Sequence, residues 1–227
     1  ERYIRGIIKM KNLLELAKFK GLNSIEELLE AELNSLYNIK FKGQKKNLAQ
    51  KLNNLFDGYF LENFNRKEYG NFLSRALTAY VLSKHFNIPE EEAVKYITDD
   101  VHDLGIDAIY YFNHTLYLFQ TKFSNSISRN DIKEIKDGIK NLLSLEESFE
   151  NFNDHIKAKK LNLQQFLLED ELKIIPVIIF FGQQTPIDVT TFLQQEIVDN
   201  PDYGAFIDEY IIINNENIFN YEIQHPN

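Results

Sequence analysis

Apolar residues recur at helical spacing through the first third of the chain. One face of a single helix would carry Leu48, Leu52, Leu55, Phe56, Tyr59 and Phe60. Two shorter helices are predicted before it, over residues 3–19 and 24–37, and the second opens on the capping box Ser24-Ile25-Glu26-Glu27. Together these segments predict a helical lobe over residues 1–64.

The period of the pattern changes beyond this lobe. After a helix over residues 66–86 and a short one over 89–97, residues 104–112 and 116–123 are rich in β-branched and aromatic side chains. Asn113-His114 between these runs favours a tight turn. The sequence therefore predicts a β-hairpin.

Helices and strands alternate in the remainder of the chain. Helical spacing returns over residues 132–143, and further helices are predicted over 154–168 and 185–198. A near-continuous apolar run over 173–181 is typical of a strand buried on both faces, and residues 205–213 predict one more strand. This order indicates an α/β domain over residues 65–227, with a mixed central β-sheet flanked by helices.

Composition narrows the class of protein. A chain of 227 residues with 44% hydrophobic residues can bury one substantial core. No apolar run approaches the length of a membrane span and no signal segment opens the chain, so we expect a cytoplasmic protein without a membrane partner. The absence of cysteine excludes disulfides, thiolate zinc sites and a cysteine nucleophile. No phosphate-binding glycine loop is present, which excludes an autonomous ATPase.

Charge is distributed unevenly around a net charge of −9. Residues 1–67 hold 13 Lys and Arg against 8 Asp and Glu, whereas the rest holds 12 against 26. The densest basic stretch contains Lys40, Lys42, Lys45 and Lys46. These lysines either contact the phosphates of a nucleic acid or form an ordinary solvated helix end, and the sequence leaves both interpretations open.

The predicted hairpin carries three polar residues at one end. If Asn113 and His114 are the two turn residues, Asp107 lies opposite Gln120, and Lys122 shares a strand face with Gln120. A carboxylate, an amide carbonyl and an ammonium converge there, and Mg²⁺ accepts the carboxylate and carbonyl oxygens as ligands. Lys122 could then orient or deprotonate a water molecule. The alternative is an ordinary cross-strand ion pair between Asp107 and Lys122, with Gln120 exposed.

These residues resemble a known nuclease signature. Gly105-Ile106-Asp107 followed by Gln120-Thr121-Lys122 resembles the PD-(D/E)xK superfamily in its glutamine variant, as found among Mrr-like restriction endonucleases. The longer segments 104–110 and 116–123 resemble the amino-terminal nuclease-like domain of abortive-infection phage-resistance (AIPR) proteins. The resemblance covers about residues 66–213 and implies a restriction-endonuclease-like fold, although the strand that should precede Asp107 is not evident.

The resemblance implies an Mg²⁺-dependent endonuclease, with Mn²⁺ as a substitute, that cleaves DNA in prokaryotic anti-phage defence. Asp107, Gln120 and Lys122 match the catalytic positions, and Asp107, Gln120 and Thr121 are the expected metal-binding residues. The alternative function is a catalytically silent nuclease-fold module that binds nucleic acid or a partner protein. A homodimer, or further domains of a longer chain, stay open as partners.

Other acidic residues near the signature have two interpretations each. Glu68 is the candidate for the further acid that this superfamily often takes from the helix before the hairpin, or it completes a capping box by bonding the Asn65 amide. Asp99, Asp100 and Asp103 either add outer-shell charge to the metal site or form a solvated acidic loop.

Overall fold

A computed structural model describes most of the chain. The described residues are 2–60, 64–144, 149–169, 171–182, 185–203 and 206–224. The chain divides into two compact units, residues 1–50 and 51–227. The domain boundary expected after residue 64 stays a prediction. No helix among the described residues combines the length and apolar character that crossing a membrane requires.

The first unit contains α1 over Arg2–Phe19 and most of α2 over Ile25–Phe56, whose residues 51–56 belong to the second unit. The Ser24 half of the predicted capping box is confirmed, because the Ser24 hydroxyl accepts a hydrogen bond of 3.1 Å from the Glu27 amide, whereas the Glu27 carboxylate accepts its bond of 2.7 Å from the amide of Asn23. The prediction of two separate helices within residues 24–60 is wrong, since α2 is continuous over 32 residues. Gly43 is the residue between the two predicted segments that disfavours helix most, and one glycine costs only about 1 kcal/mol.

A four-stranded mixed sheet organises the second unit. Its strands are β1 (Ala108–Phe112), β2 (Thr115–Lys122), β3 (Lys173–Phe180) and β4 (Ile211–Ile213), and they lie side by side in that order. β1 and β2 are antiparallel, while β2, β3 and β4 run parallel to one another. The predicted mixed α/β architecture is confirmed.

The hairpin has the predicted register. Ala108 pairs with Phe119 and Phe112 with Thr115. Asn113 and His114 have φ angles of 50° and 59°, as the inner residues of a tight hairpin turn require. The strand sought before Asp107 is a single antiparallel bridge between Ile97 and Ala108.

Helices cover both sides of the sheet. They are α3 (Tyr69–Phe86), α4 (Glu90–Ala93), α5 (Arg129–Ser144), α6 (Asp154–Lys157), α7 (Lys160–Phe166), α8 (Ile187–Leu193) and α9 (Asn215–Gln224). Short 3-10 turns occupy Val94–Tyr96 and Phe149–Asn151, and a π-helical turn over Gln194–Val198 continues α8.

Two of the predicted elements are shorter in the structure. The helix predicted over 154–168 divides into α6 and α7, and Asn153 caps the first through its side-chain oxygen. The strand predicted from residue 205 begins only at Ile211, because the amides of Phe206 and Ile207 bond back to the Tyr203 carbonyl in a turn.

The alternation of side chains along β2 assigns its residues to two faces. Leu116 and Leu118 pack into the same apolar core as Ile135 and Ile139 of α5. Thr121, on the opposite parity, meets Thr78 of α3 through a hydroxyl contact of 2.8 Å. Even-numbered positions of β2 therefore face α5 and odd-numbered positions face α3.

Candidate metal centre

A polar cavity of about 390 Å³ opens at the far end of the hairpin from its turn. Its wall combines the start of α3, the loop that precedes β1, the end of β2 and the first turns of α5. The sequence-predicted residues Asp107, Gln120, Thr121 and Lys122 all line it. The register explains this convergence, because Gln120 and Lys122 are even-numbered positions and Asp107 adjoins β1 opposite them.

Three buried carboxylates meet in this cavity. Asp99, Asp103 and Asp107 each offer one oxygen, and the three oxygens lie within 4.8 Å of one another. All three side chains are buried, so the interpretation of residues 99–103 as a solvated acidic loop is wrong. Asp99 and Asp103 stand beside Asp107 because the loop between them doubles back through left-handed backbone at His102, Leu104 and Gly105.

Burial and mutual repulsion disfavour the charged forms of these carboxylates. Burial, opposed by Arg75 and reinforced by Asp103, raises the pKa of Asp99 to about 6. Burial likewise raises the pKa of Asp103. Burial together with the charges of Asp99 and Asp103 raises the pKa of Asp107 well above its usual range. Each carboxylate is thus disfavoured in its charged form, and a positive ion would reverse that preference.

Backbone amides hold the carboxylates in place. One oxygen of Asp107 accepts hydrogen bonds from the Thr121 amide at 2.5 Å and from the side-chain nitrogen of Gln120 at 3.3 Å. Asp103 accepts a bond of 2.9 Å from the Gly105 amide. Asp100, although buried, serves the loop differently, because amides of Asn65 and other residues bond to it, and these bonds outweigh burial and lower its pKa.

Gln120 provides a donor atom that the protein leaves unused. Its side chain is 1% exposed, and its carbonyl oxygen Oε1 finds no hydrogen-bond partner among the described residues. A buried acceptor without a donor costs about 1–3 kcal/mol. Gln120 lines the cavity together with the three carboxylates.

Gly105 admits this glutamine side chain. A Cβ atom at position 105 would stand 2.5 Å from Gln120 Oε1 and 2.6 Å from the Ile135 amide nitrogen. The residue also has a φ of +75°, which favours glycine. The glycine of the resemblance motif therefore has a physical role, since a side chain there would displace either Gln120 or α5.

Lys122 faces the acids of α5. Its ammonium lies 3.4 Å from an Asp131 oxygen and 3.7 Å from a Glu134 oxygen. Burial alone would lower the pKa of Lys122, but Asp107, Asp131 and Glu134 together raise it. The alternative of a plain Asp107–Lys122 ion pair with an exposed Gln120 is wrong, because Gln120 is buried and no Asp107–Lys122 contact lies within 4.0 Å.

Two arginines compensate the acidic cluster from α3 and the segment before it. Arg75 is 1% exposed, lies 3.5 Å from an Asp99 oxygen and donates to the Asp99 carbonyl at 2.8 Å. Arg66 is part exposed and lies 3.2 Å from an Asp103 oxygen and 3.9 Å from an Asp99 oxygen. Sequence reasoning missed both arginines, since neither spacing nor local pattern connects them to Asp107.

Glu68 lies outside the cavity wall. It is the exposed residue directly before α3, and its carboxylate accepts a bond of 3.1 Å from the Asn71 side chain, which does line the cavity. The capping-box interpretation is wrong, because the Asn65 amide bonds to Asp100 instead. The additional carboxylates beside Asp107, for which Glu68 was the sequence-based candidate, belong to Asp99 and Asp103.

The four lysines of the basic stretch belong to α2 and to the first unit. Lys40, Lys42 and Lys46 are exposed, whereas burial lowers the pKa of the half-buried Lys45. Their contact with phosphates stays a prediction.

The donor set of the cavity fits a hard divalent cation. Three carboxylates and an amide carbonyl offer oxygen ligands of the kind that Mg²⁺ prefers, and a cation would supply a partner for the Gln120 oxygen, which has none among the described residues. Comparisons with protein-family models, with curated proteins and with solved structures find no match to this chain.

Proposed function

We propose that this chain is a metal-dependent nuclease with a restriction-endonuclease-like fold that hydrolyses phosphodiester bonds of DNA. One observation carries the proposal: Gln120, whose buried carbonyl oxygen has no hydrogen-bond partner among the described residues, lines the same cavity as three clustered, buried carboxylates. Action in prokaryotic anti-phage defence belongs to the same proposal and rests on the resemblance of residues 104–110 and 116–123 to the AIPR nuclease-like domain, whereas the cytoplasmic location rests on the sequence-based expectation above.

Asp107 and Gln120 would hold Mg²⁺ or Mn²⁺, with Asp99 and Asp103 as the neighbouring carboxylates. The bound ion would supply a water of lowered pKa and stabilise negative charge on the phosphate. The chain itself fixes the ligands, because the Thr121 amide and the loop before β1 orient Asp107 before any ion arrives. Preorganised ligands need no rearrangement during the reaction.

Lys122 would orient the attacking water or the phosphate through its ammonium. Its raised pKa keeps the side chain protonated at neutral pH, which favours orientation over proton abstraction. Asp131 and Glu134 hold the ammonium on the α5 side of the cavity, at the same sheet face as Gln120.

The direct test is cleavage of plasmid and single-stranded DNA in the presence of Mg²⁺, Mn²⁺ or EDTA. We expect cleavage by the parent with either metal, and a loss of at least about a hundredfold in Asp107→Ala and in Lys122→Ala. The losses should not add in the double variant, because both residues serve one step. Lys133→Ala, at an exposed position of α5, is the matched control and should cleave as the parent does.

Parent-like cleavage by both Asp107→Ala and Lys122→Ala would refute the enzymatic proposal. DNA binding without cleavage under any metal condition would instead support the silent nuclease-fold module.

A further inference from the structure

Arg66 and Arg75 neutralise the same acidic cluster from different environments. The Arg75 side chain is 1% exposed and stacks on Phe64 with its guanidinium carbon 4.2 Å from the ring centroid. It also donates to the backbone carbonyl of Arg66 at 2.6 Å. The Arg66 side chain is 38% exposed and lines the cavity. Arg75 is therefore part of the core, whereas Arg66 can reach both the cluster and a ligand that enters from solvent.

The contacts of Arg66 are with the carboxylates that a metal would need. Its Nη2 atom lies 3.2 Å from Asp103 and its Nη1 atom lies 3.9 Å from Asp99. Nη2 also donates to the backbone carbonyl of Asp100. The guanidinium thus supplies positive charge to two of the three carboxylates at the place where a divalent cation would supply it.

We propose that Arg66 exchanges partners when the site is loaded. In the metal-free protein it neutralises Asp99 and Asp103, and in the metal-bound protein it binds the phosphate of the substrate. This inference rests on the proposed function. Carboxylates that share their charge with a cation attract a guanidinium less, and a planar guanidinium matches the geometry of a phosphate through two parallel hydrogen bonds.

The exchange predicts effects of opposite sign on metal and on substrate. Arg66→Gln removes a positive charge from the cluster, so metal should bind more tightly, by about tenfold, because like charges repel at this range. The same variant removes a phosphate contact, so the KM for DNA should rise by about tenfold. A residue with a merely structural role would weaken both.

The experiment measures Mn²⁺ binding by calorimetry without DNA, and then KM and kcat for a short DNA substrate under Mg²⁺. Arg66→Gln keeps the backbone amide that bonds to Asp100, so the loop retains that anchor. Arg66→Lys is the second variant, since it retains the positive charge but not the planar guanidinium that can donate two parallel hydrogen bonds to a phosphate. It should bind Mn²⁺ within about twofold of the parent and raise the KM about threefold.

Three results would overturn the exchange. If Arg66→Gln binds Mn²⁺ no more tightly than the parent, Arg66 does not compete with the metal. If its Mn²⁺ affinity rises while the KM is unchanged, Arg66 does not bind the phosphate. If the parent itself binds no Mn²⁺, the proposed function fails together with this inference. That result is distinguishable from the other two, because it is measured on the parent and not on the Arg66→Gln variant. Should Arg66→Gln fail to fold, Arg66→Met, which also removes the positive charge but keeps an unbranched side chain, takes its place with the same expected results.

Discussion

Replacing Gly105 by alanine tests the close packing that admits Gln120 to the cavity. The new methyl group would stand 2.5 Å from Gln120 Oε1, 2.6 Å from the Ile135 nitrogen and 2.7 Å from the Glu134 carbonyl carbon. Two of these atoms belong to the backbone of α5, which cannot move as a flexible side chain does. Gln120 or the helix must therefore shift.

The expected loss of stability combines two costs. A non-glycine residue at a φ of +75° costs about 1–2 kcal/mol, and forcing a methyl group into a packed region costs about 1–3 kcal/mol. Alanine also reduces the conformational entropy of the unfolded chain, which offsets about 0.4–1 kcal/mol of this loss of stability. We expect Gly105→Ala to lower the free energy of unfolding by about 1–5 kcal/mol.

Gly58→Ala is the matched control, because Gly58 has a φ of +84° and no described atom lies within 4 Å of the place that its methyl group would take. It has the backbone cost without the clash, so Gly105→Ala should be less stable than Gly58→Ala by about 1–3 kcal/mol in urea unfolding. Equal destabilisation by the two substitutions would refute the packing argument and, with it, the reason for glycine in the motif.

Three further outcomes follow from the site. Gln120→Glu should bind Mn²⁺ more tightly than the parent and Gln120→Ala more weakly in calorimetry, and equal affinities would show that Gln120 is not a ligand. The metal-free protein should lose about 2 kcal/mol of stability as pH rises from 4 to 7. The reason is that Asp99, with a folded-state pKa of about 6, keeps its proton in the folded state over a pH range in which the unfolded state has already lost it. Urea unfolding of Asp99→Asn should show a smaller loss. Changing Lys42, Lys45 and Lys46 to glutamine should flatten the salt dependence of DNA binding, and an unchanged slope would assign them to a solvated surface.

The hairpin and its register were predictable because they depend on local pattern. Alternating side chains and the Asn113-His114 turn fix which residues face each other, and this alone brings Asp107 opposite Gln120. The buried strand β3 was equally clear, since seven of its eight positions are buried and its sequence is almost wholly apolar.

The acidic cluster depends on contacts that no local pattern encodes. Asp99 is buried against Arg75, which lies 24 residues earlier in the chain, and Asp103 meets Arg66, 37 residues earlier. From sequence alone, an Asp-rich loop is typically solvated, so the pairing that permits its burial could not be foreseen. The nearest signal was the density of three aspartates just before Gly105.

The central claim is that the cavity holds a divalent metal between Asp107 and Gln120, and crystals grown with Mn²⁺ test it most directly. We expect an anomalous difference peak within about 2.5 Å of an Asp107 oxygen and of Gln120 Oε1, and no such peak in crystals of Asp107→Ala. A cavity without a peak at saturating Mn²⁺, or a peak coordinated elsewhere in the parent, would contradict the claim.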